Sequence, residues 1–168
     1  MSDQDRCLRS FDLVDEKVAE ADFFLEKLAE PACPFSHVRF LFSAFCAAAR
    51  SITFSLQSVM AHVEGFREWY QTKQQELQDD PVARFFHEAR TVIQHIGINP
   101  VSGGSLRHGA DGRTELRYRL TSEREETGFV RDLDAVSACR RYLAQLVSIV
   151  QECYATFGTI IDPRLKLK

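Results

Sequence analysis

Nowhere in these 168 residues does a C-x-x-C pair occur. The five cysteines, Cys7, Cys33, Cys46, Cys139 and Cys153, make an odd count, and Cys46, Cys139 and Cys153 fall inside apolar helical patterns, where cysteine acts as a small hydrophobe. This argues against a disulfide framework or a zinc site and fits a reducing cytoplasm. Positive charge is not in excess: 21 Lys and Arg stand against 24 Asp and Glu, a net charge of -3. Strong non-specific binding to nucleic acid is therefore not expected from charge alone. Lysine is scarce, with five against sixteen arginines. Codon bias explains this, or a use for planar, bidentate phosphate contacts. No clean membrane span exists, because the most apolar region, residues 40–61, is interrupted by Arg50 and five hydroxyl residues. The acidic start Met1-Ser2-Asp3-Gln4-Asp5 does not read as a signal peptide, and no repeats or low-complexity segments are visible.

The length suits one domain with a sizeable core, and 45% hydrophobic with 27% charged residues is ordinary for a soluble globular protein. Residues 5–30 predict a helix, with Phe11, Val14, Val18, Ala21, Leu25 and Leu28 alternating at three and four. Pro31 and Pro34 end it. Residues 36–63 predict a second helix from a Ser36 N-cap; it is apolar almost all round and so central to the core, with Gly65 marking its end. A short helix over 66–77 carries Trp69 and Tyr70 as core or interface aromatics. Asp80 and Pro81 open a fourth helix whose buried stripe is Val82, Phe85, Phe86, Ala89, Ile93 and Ile96, closed by Gly97.

Residues 98–131 read as an inserted β-hairpin. Residues 114–121 alternate, with Leu116, Tyr118 and Leu120 on one face, and residues 105–108 pair with them through a Gly-rich turn. Arg107, Arg113, Arg117 and Arg119 form either an RNA-guiding face or a solvated one balanced by Glu123, Glu125 and Glu126. A last helix over 134–161 carries Val136, Cys139, Leu143, Leu146, Val150, Cys153, Phe157 and Ile160, and residues 163–168 form a basic tail. The expected fold is all-α: residues 1–162 as one up-and-down four-helix bundle, with an extra short helix and the hairpin before the last helix.

The polar side of the fourth helix carries the only arrangement suited to chemistry. Arg84, Glu88, Thr91 and His95 share one stripe, and His87, Arg90 and Gln94 adjoin it. Arg90 and His95 lie about 140° apart around an ideal helix, so they converge only if the helix end loosens or a second subunit contributes. Arginine suits phosphate neutralisation and histidine suits proton transfer near neutral pH. RNA brings its own 2′-hydroxyl nucleophile, so such a site needs no metal or cofactor. A solvated helix face remains the plain alternative. Arg50, the only charged residue in 40–61, is either an anion contact in a polar pocket or half of a structural salt bridge to Glu88 or a first-helix acid. His37, His62 and His108 have no partners at metal-ligand spacing.

Asp80-Pro81, then Arg84-Phe85-Phe86, then Arg90-Thr91-x-x-x-His95 resemble the signature helix of the HEPN superfamily (higher eukaryote and prokaryote nucleotide-binding domains). The run Ala48-Ala49-Arg50-Ser51-Ile52-Thr53-Phe54-Ser55-Leu56-Gln57 and then Phe66-Arg67-Glu68-Trp69-Tyr70 is also similar to HEPN-like bacterial proteins. The resemblance covers residues 40–97, and the remainder only as a helical bundle. It implies a homodimer with the signature helices facing across the two-fold axis. It further implies either a metal-independent endoribonuclease, of toxin or defence type with an antitoxin or other protein partner, or an inactive bundle that binds a partner or nucleotide. Carried over, Arg90 contacts phosphate and His95 transfers protons; Thr91, Glu88 and Arg50 are read beside them as supporting residues. The family usually has Asn, Asp or His after the arginine; here Thr91 stands there.

Overall fold

The computed structural model describes residues 11–31, 33–108, 112, 114–122, 130–131 and 133–161. Among them five helices form: α1 (Asp12–Leu28), α2 (Phe35–Met60), α3 (Phe66–Asp79), α4 (Pro81–Ile96) and α5 (Ala135–Ile161). An antiparallel hairpin of β1 (Val101–His108) and β2 (Thr114–Leu120) lies between α4 and α5 in sequence. The protein is thus mostly helical, with the hairpin before the last helix. Cys7, Arg113, Glu123, Glu125, Glu126 and the tail 163–168 lie outside the described residues, as does the Arg107 side chain.

Helix α1 buries Val14, Ala21, Leu25 and Leu28 against α2, while Asp12 and Asp15 in its first turn complement the positive end of the helix dipole. Helix α2 is the centre of the core. It buries twelve side chains and touches α1, α4, α5 and β1. It is long and apolar enough to cross a membrane, yet half of its most apolar window is buried inside the fold, as a core helix requires. Ser36 does not cap it. The helix starts at Phe35, directly after an extended Pro34 with no side-chain cap, so Ser36 already lies in the first turn. Proline's fixed φ delivers the chain to the helix start without a capping side chain.

The Phe86 ring anchors the layer between helices. It stacks on Tyr142 of α5 at 4.6 Å and meets Phe42 and Phe45 of α2 at 5.7 Å each. Tyr70 and Trp69 pack beside Phe66, as core aromatics do. Two stripe residues depart from expectation: Ile96 and Ile160 are 65% and 50% exposed. Each sits in the last turn of its helix, beyond the last fully buried stripe members, Ala89 and Phe157.

Strand β1 begins at Val101, four residues before the expected start at Ser105, and pairs Val101 with Leu120 and Leu106 with Leu116. The early start is accommodated by a register shift between Ser102 and Gly104, where Gly103 takes φ 39°. Tyr118 and Leu120 are buried, whereas Leu116 is 39% exposed near the hairpin tip. The Tyr118 hydroxyl donates to the Cys33 carbonyl at 2.8 Å, tying β2 to the loop between α1 and α2. Arg117 approaches Asp134 at 3.9 Å, so it is not simply a free arm for RNA. Asp134 also caps α5 by accepting from the Ser137 amide and hydroxyl at 3.0 and 2.7 Å.

Candidate functional site

Helix α4 is built to hold its polar face still. Asp80 Oδ1 accepts from the Val82 and Ala83 amides at 2.8 and 2.9 Å, and Pro81 fills the first helical position, where no amide is needed. At the other end Gly97, at φ 78°, turns its amide back to the Val92 and Ile93 carbonyls. Between these caps the helix is regular, so it does not loosen before Gly97. Arg90 and His95 therefore stay about 7.5 Å apart along the axis and about 140° apart around it. No hydrogen bond or ring contact joins them.

The sequence-derived residues fall into different surroundings. Arg90 is half-buried, and its Nε is buried with no hydrogen-bond partner. His95 is exposed in the last turn. Thr91 is exposed, and its hydroxyl donates to the His87 carbonyl at 3.0 Å. Glu88 is half-buried and lines two cavities. The larger, of about 590 Å³, lies between α4 and the segments flanking the hairpin, with Phe85, Val92, Ile98, Pro100 and Thr121 in its wall. The smaller, of about 330 Å³, lies between α2, α3, α4 and α5, and includes Arg50, Tyr70, Arg84, His87 and Tyr142. Neither cavity is lined by Arg90 or His95.

The expected salt bridge of Arg50 is not formed. Among the described residues Arg50 meets no carboxylate. Its Nη1 donates to Thr53 Oγ1 at 3.2 Å, and its guanidinium lies over the Phe54 ring at 4.3 Å from the centroid. Glu88 stands in the same cavity wall but is engaged elsewhere. The reason is local: Phe54, four residues on, offers an aromatic face within reach of a planar cation. The structure thus brings Arg50 and Glu88 to one cavity and keeps Arg90 and His95 out of it.

Two tyrosines that the sequence offered only as core aromatics, or not at all, line this cavity. Burial pushes the Tyr70 phenol up, against the opposing influence of Arg50, Thr53 and Gln57, and Gln57 Nε2 donates to its oxygen at 3.1 Å. Burial pushes the Tyr142 phenol up as well, again opposed by Arg50. The spacing of Arg50, Thr53 and Gln57 on one face of α2 was the signal for Tyr70. Nothing local marks Tyr142, which reaches the cavity through the packing of α5.

No group of three or more His, Cys, Asp or Glu among the described residues is placed to hold a metal ion. Cys33, Cys46, Cys139 and Cys153 are free thiols and buried. No curated protein and no solved structure matches this chain. A family model described as bacteriophage lambda protein ea47 matches residues 13–99, a little over half of the 168 residues. That span runs from α1 through the Gly97 cap of α4, and the chain belongs to the family of bacteriophage lambda protein ea47.

Proposed function

We propose that the protein is a metal-independent endoribonuclease of HEPN type, with its site completed by a second copy across the outer face of α4. In this reading α1, α2, α4 and α5 are the four helices of an up-and-down bundle. The observation that carries it is Arg90: a half-buried guanidinium whose Nε has no protein partner, on the same helix as an exposed His95. A buried donor left unmade costs about 1–3 kcal/mol, so an anionic partner from outside the chain is favoured there. An RNA phosphate supplies that anion. The 2′-hydroxyl attacks phosphorus, the 5′-oxygen leaves, and a 2′,3′-cyclic phosphate and a 5′-hydroxyl result. Arg90 holds a non-bridging oxygen, and His95 moves a proton to or from the reacting oxygens. Two copies of α4 facing each other bring one copy's Arg90 towards the other's His95, which one regular helix does not do.

The test incubates purified protein with single-stranded RNA in EDTA, beside Arg90→Ala and His95→Ala, with light scattering on the same samples. A dimer at micromolar concentration, cleavage that persists in EDTA, and a loss of about 10²–10⁴-fold in either variant are expected. Cleavage abolished by EDTA rejects the mechanism. A monomer, or a His95→Ala variant as active as the parent, rejects the shared site.

One observation favours a second reading, an inactive HEPN-like bundle that binds a protein partner or nucleotide. The Thr91 hydroxyl is turned onto the helix's own backbone, at the position where HEPN proteins usually carry Asn, Asp or His. No cleavage of any RNA by a well-folded dimer selects this reading. A toxin or defence role, with an antitoxin as partner, belongs to the first reading only. The four buried free thiols support a reducing cytoplasm in either case.

A further inference from the structure

The polar cavity between α2, α3, α4 and α5 holds a cation that the fold leaves unfinished. That cation is Arg50. A guanidinium carries five N–H donors, and the fold uses one of them, from Nη1 to Thr53. Its Nε is buried with no partner, and among the described residues no carboxylate neutralises it. Beside it in the cavity wall stands Tyr142, 6% exposed and stacked on Phe86. A buried guanidinium nitrogen is rarely left unpartnered, and one in a cavity wall marks a place where something outside the chain belongs.

The cavity's chemistry says what. Arg50 and Arg84 are cationic, Glu88 is anionic, and the rest of the polar wall, Gln74, Gln78, His87 and two phenols, adds no formal negative charge, so the lining carries a net positive charge before any ligand enters. Both phenols are protonated at neutral pH, as tyrosine ordinarily is, and burial pushes each further upward. They are therefore donors, not competing anions. The volume of about 330 Å³ is in the range of small-molecule sites and takes a phosphate group with a small substituent.

We propose that this cavity binds a small phosphate-bearing molecule, its phosphate oxygens held by the unused donors of Arg50 and by the Tyr142 hydroxyl. Arginine's planar fork suits two phosphate oxygens at once. Its stacking on Phe54 holds the fork in position before the ligand arrives. The site is separate from Arg90 and His95 and rests on neither reading of the outer face of α4.

The probe is inorganic phosphate, measured by calorimetry and by the broadening of its phosphorus resonance, against chloride at equal ionic strength. The parent protein is expected to bind it, and Arg50→Gln to weaken binding tenfold or more. Tyr142→Phe, which removes one oxygen and keeps the stacked ring, is expected to weaken it severalfold. Arg140→Gln, an exposed charge on α5, is expected to bind as the parent does. If Arg50→Gln does not fold, Arg50→Lys takes its place: it keeps the charge, loses the fork and still weakens binding. No binding by the parent overturns the proposal, as does equal binding by the Arg50 and Tyr142 variants. Loss of binding in Arg140→Gln as well reduces it to general electrostatics and also overturns it. No RNA enters the experiment, so failure of the ribonuclease reading does not alter its outcome.

Discussion

Arg50 shows how a single side chain changes the expected energetics. Had it been half of a buried ion pair, its removal would strand a carboxylate and cost about 3–5 kcal/mol. In the structure it contributes one hydrogen bond and one cation–aromatic contact, and nothing charged is left behind. Arg50→Ala is therefore expected to cost about 1–2 kcal/mol, read from urea unfolding. A loss above that range would reveal a carboxylate partner. Its isolation in an apolar run was legible in the sequence, but its partner was not: the choice between Glu88 and Phe54 depends on side-chain reach across the cavity. Thr91 was legible as a departure, whereas the turn of its hydroxyl onto the His87 carbonyl emerges only with the helix built.

Cys153 gives a second prediction at this scale. Burial raises its thiol to about 11, above the usual cysteine range. A group whose folded value is raised contributes stability that is complete below its unfolded value of about 8.5. That contribution is lost as pH rises through the folded value. Stability should thus decline from about pH 8.5 upward, and Cys153→Ala should flatten the slope of unfolding free energy against pH over that window. Burial pushes Cys46 and Cys139 upward too, so the slope should be reduced and not abolished.

Among the elements, α4 is the one whose position matters most, and the Phe86 cluster fixes it. Phe86→Ala removes a ring packed on α2 and α5 together and should cost about 3–5 kcal/mol in urea or thermal unfolding. The Asp80-Pro81 start and the Gly97 stop of this helix were both legible, because capping is local chemistry written in adjacent residues. The start of α2 was not, since an extended Pro34 did the work expected of Ser36. Ile96 and Ile160 fit their stripes by spacing, but spacing does not say where the neighbouring layer ends. The hairpin was legible from alternation and glycines, whereas its extra length at Val101 depended on a bulge at Gly103 that no pattern announced.

At the scale of the whole molecule, the ordering of helices and hairpin followed from periodicity, while the cavities arose from contacts between segments distant in sequence. Tyr70 and Tyr142 reach one cavity from α3 and α5, 72 positions apart in the chain. Lys73 and Glu152 join the same two helices at 2.6 Å, although the exposed Glu152 carboxylate keeps the pair to a small contribution.

The Tyr118 bond to the Cys33 carbonyl has a consequence for what counts as a unit of inheritance. It reaches back across 85 positions into the segment matched by the ea47 family, from a strand that lies beyond that segment's end. Helix α5 lies beyond it too, yet it packs on α1, α2 and α4 and supplies the ring stacked on Phe86. The matched stretch therefore covers only part of the core that the fold builds. Expressed alone, residues 11–99 should show a broad, non-cooperative thermal transition by circular dichroism and bind dyes that seek exposed apolar surface. A sharp, cooperative melt of that fragment would mean that the hairpin and α5 are an accessory to a domain already complete at Gly97.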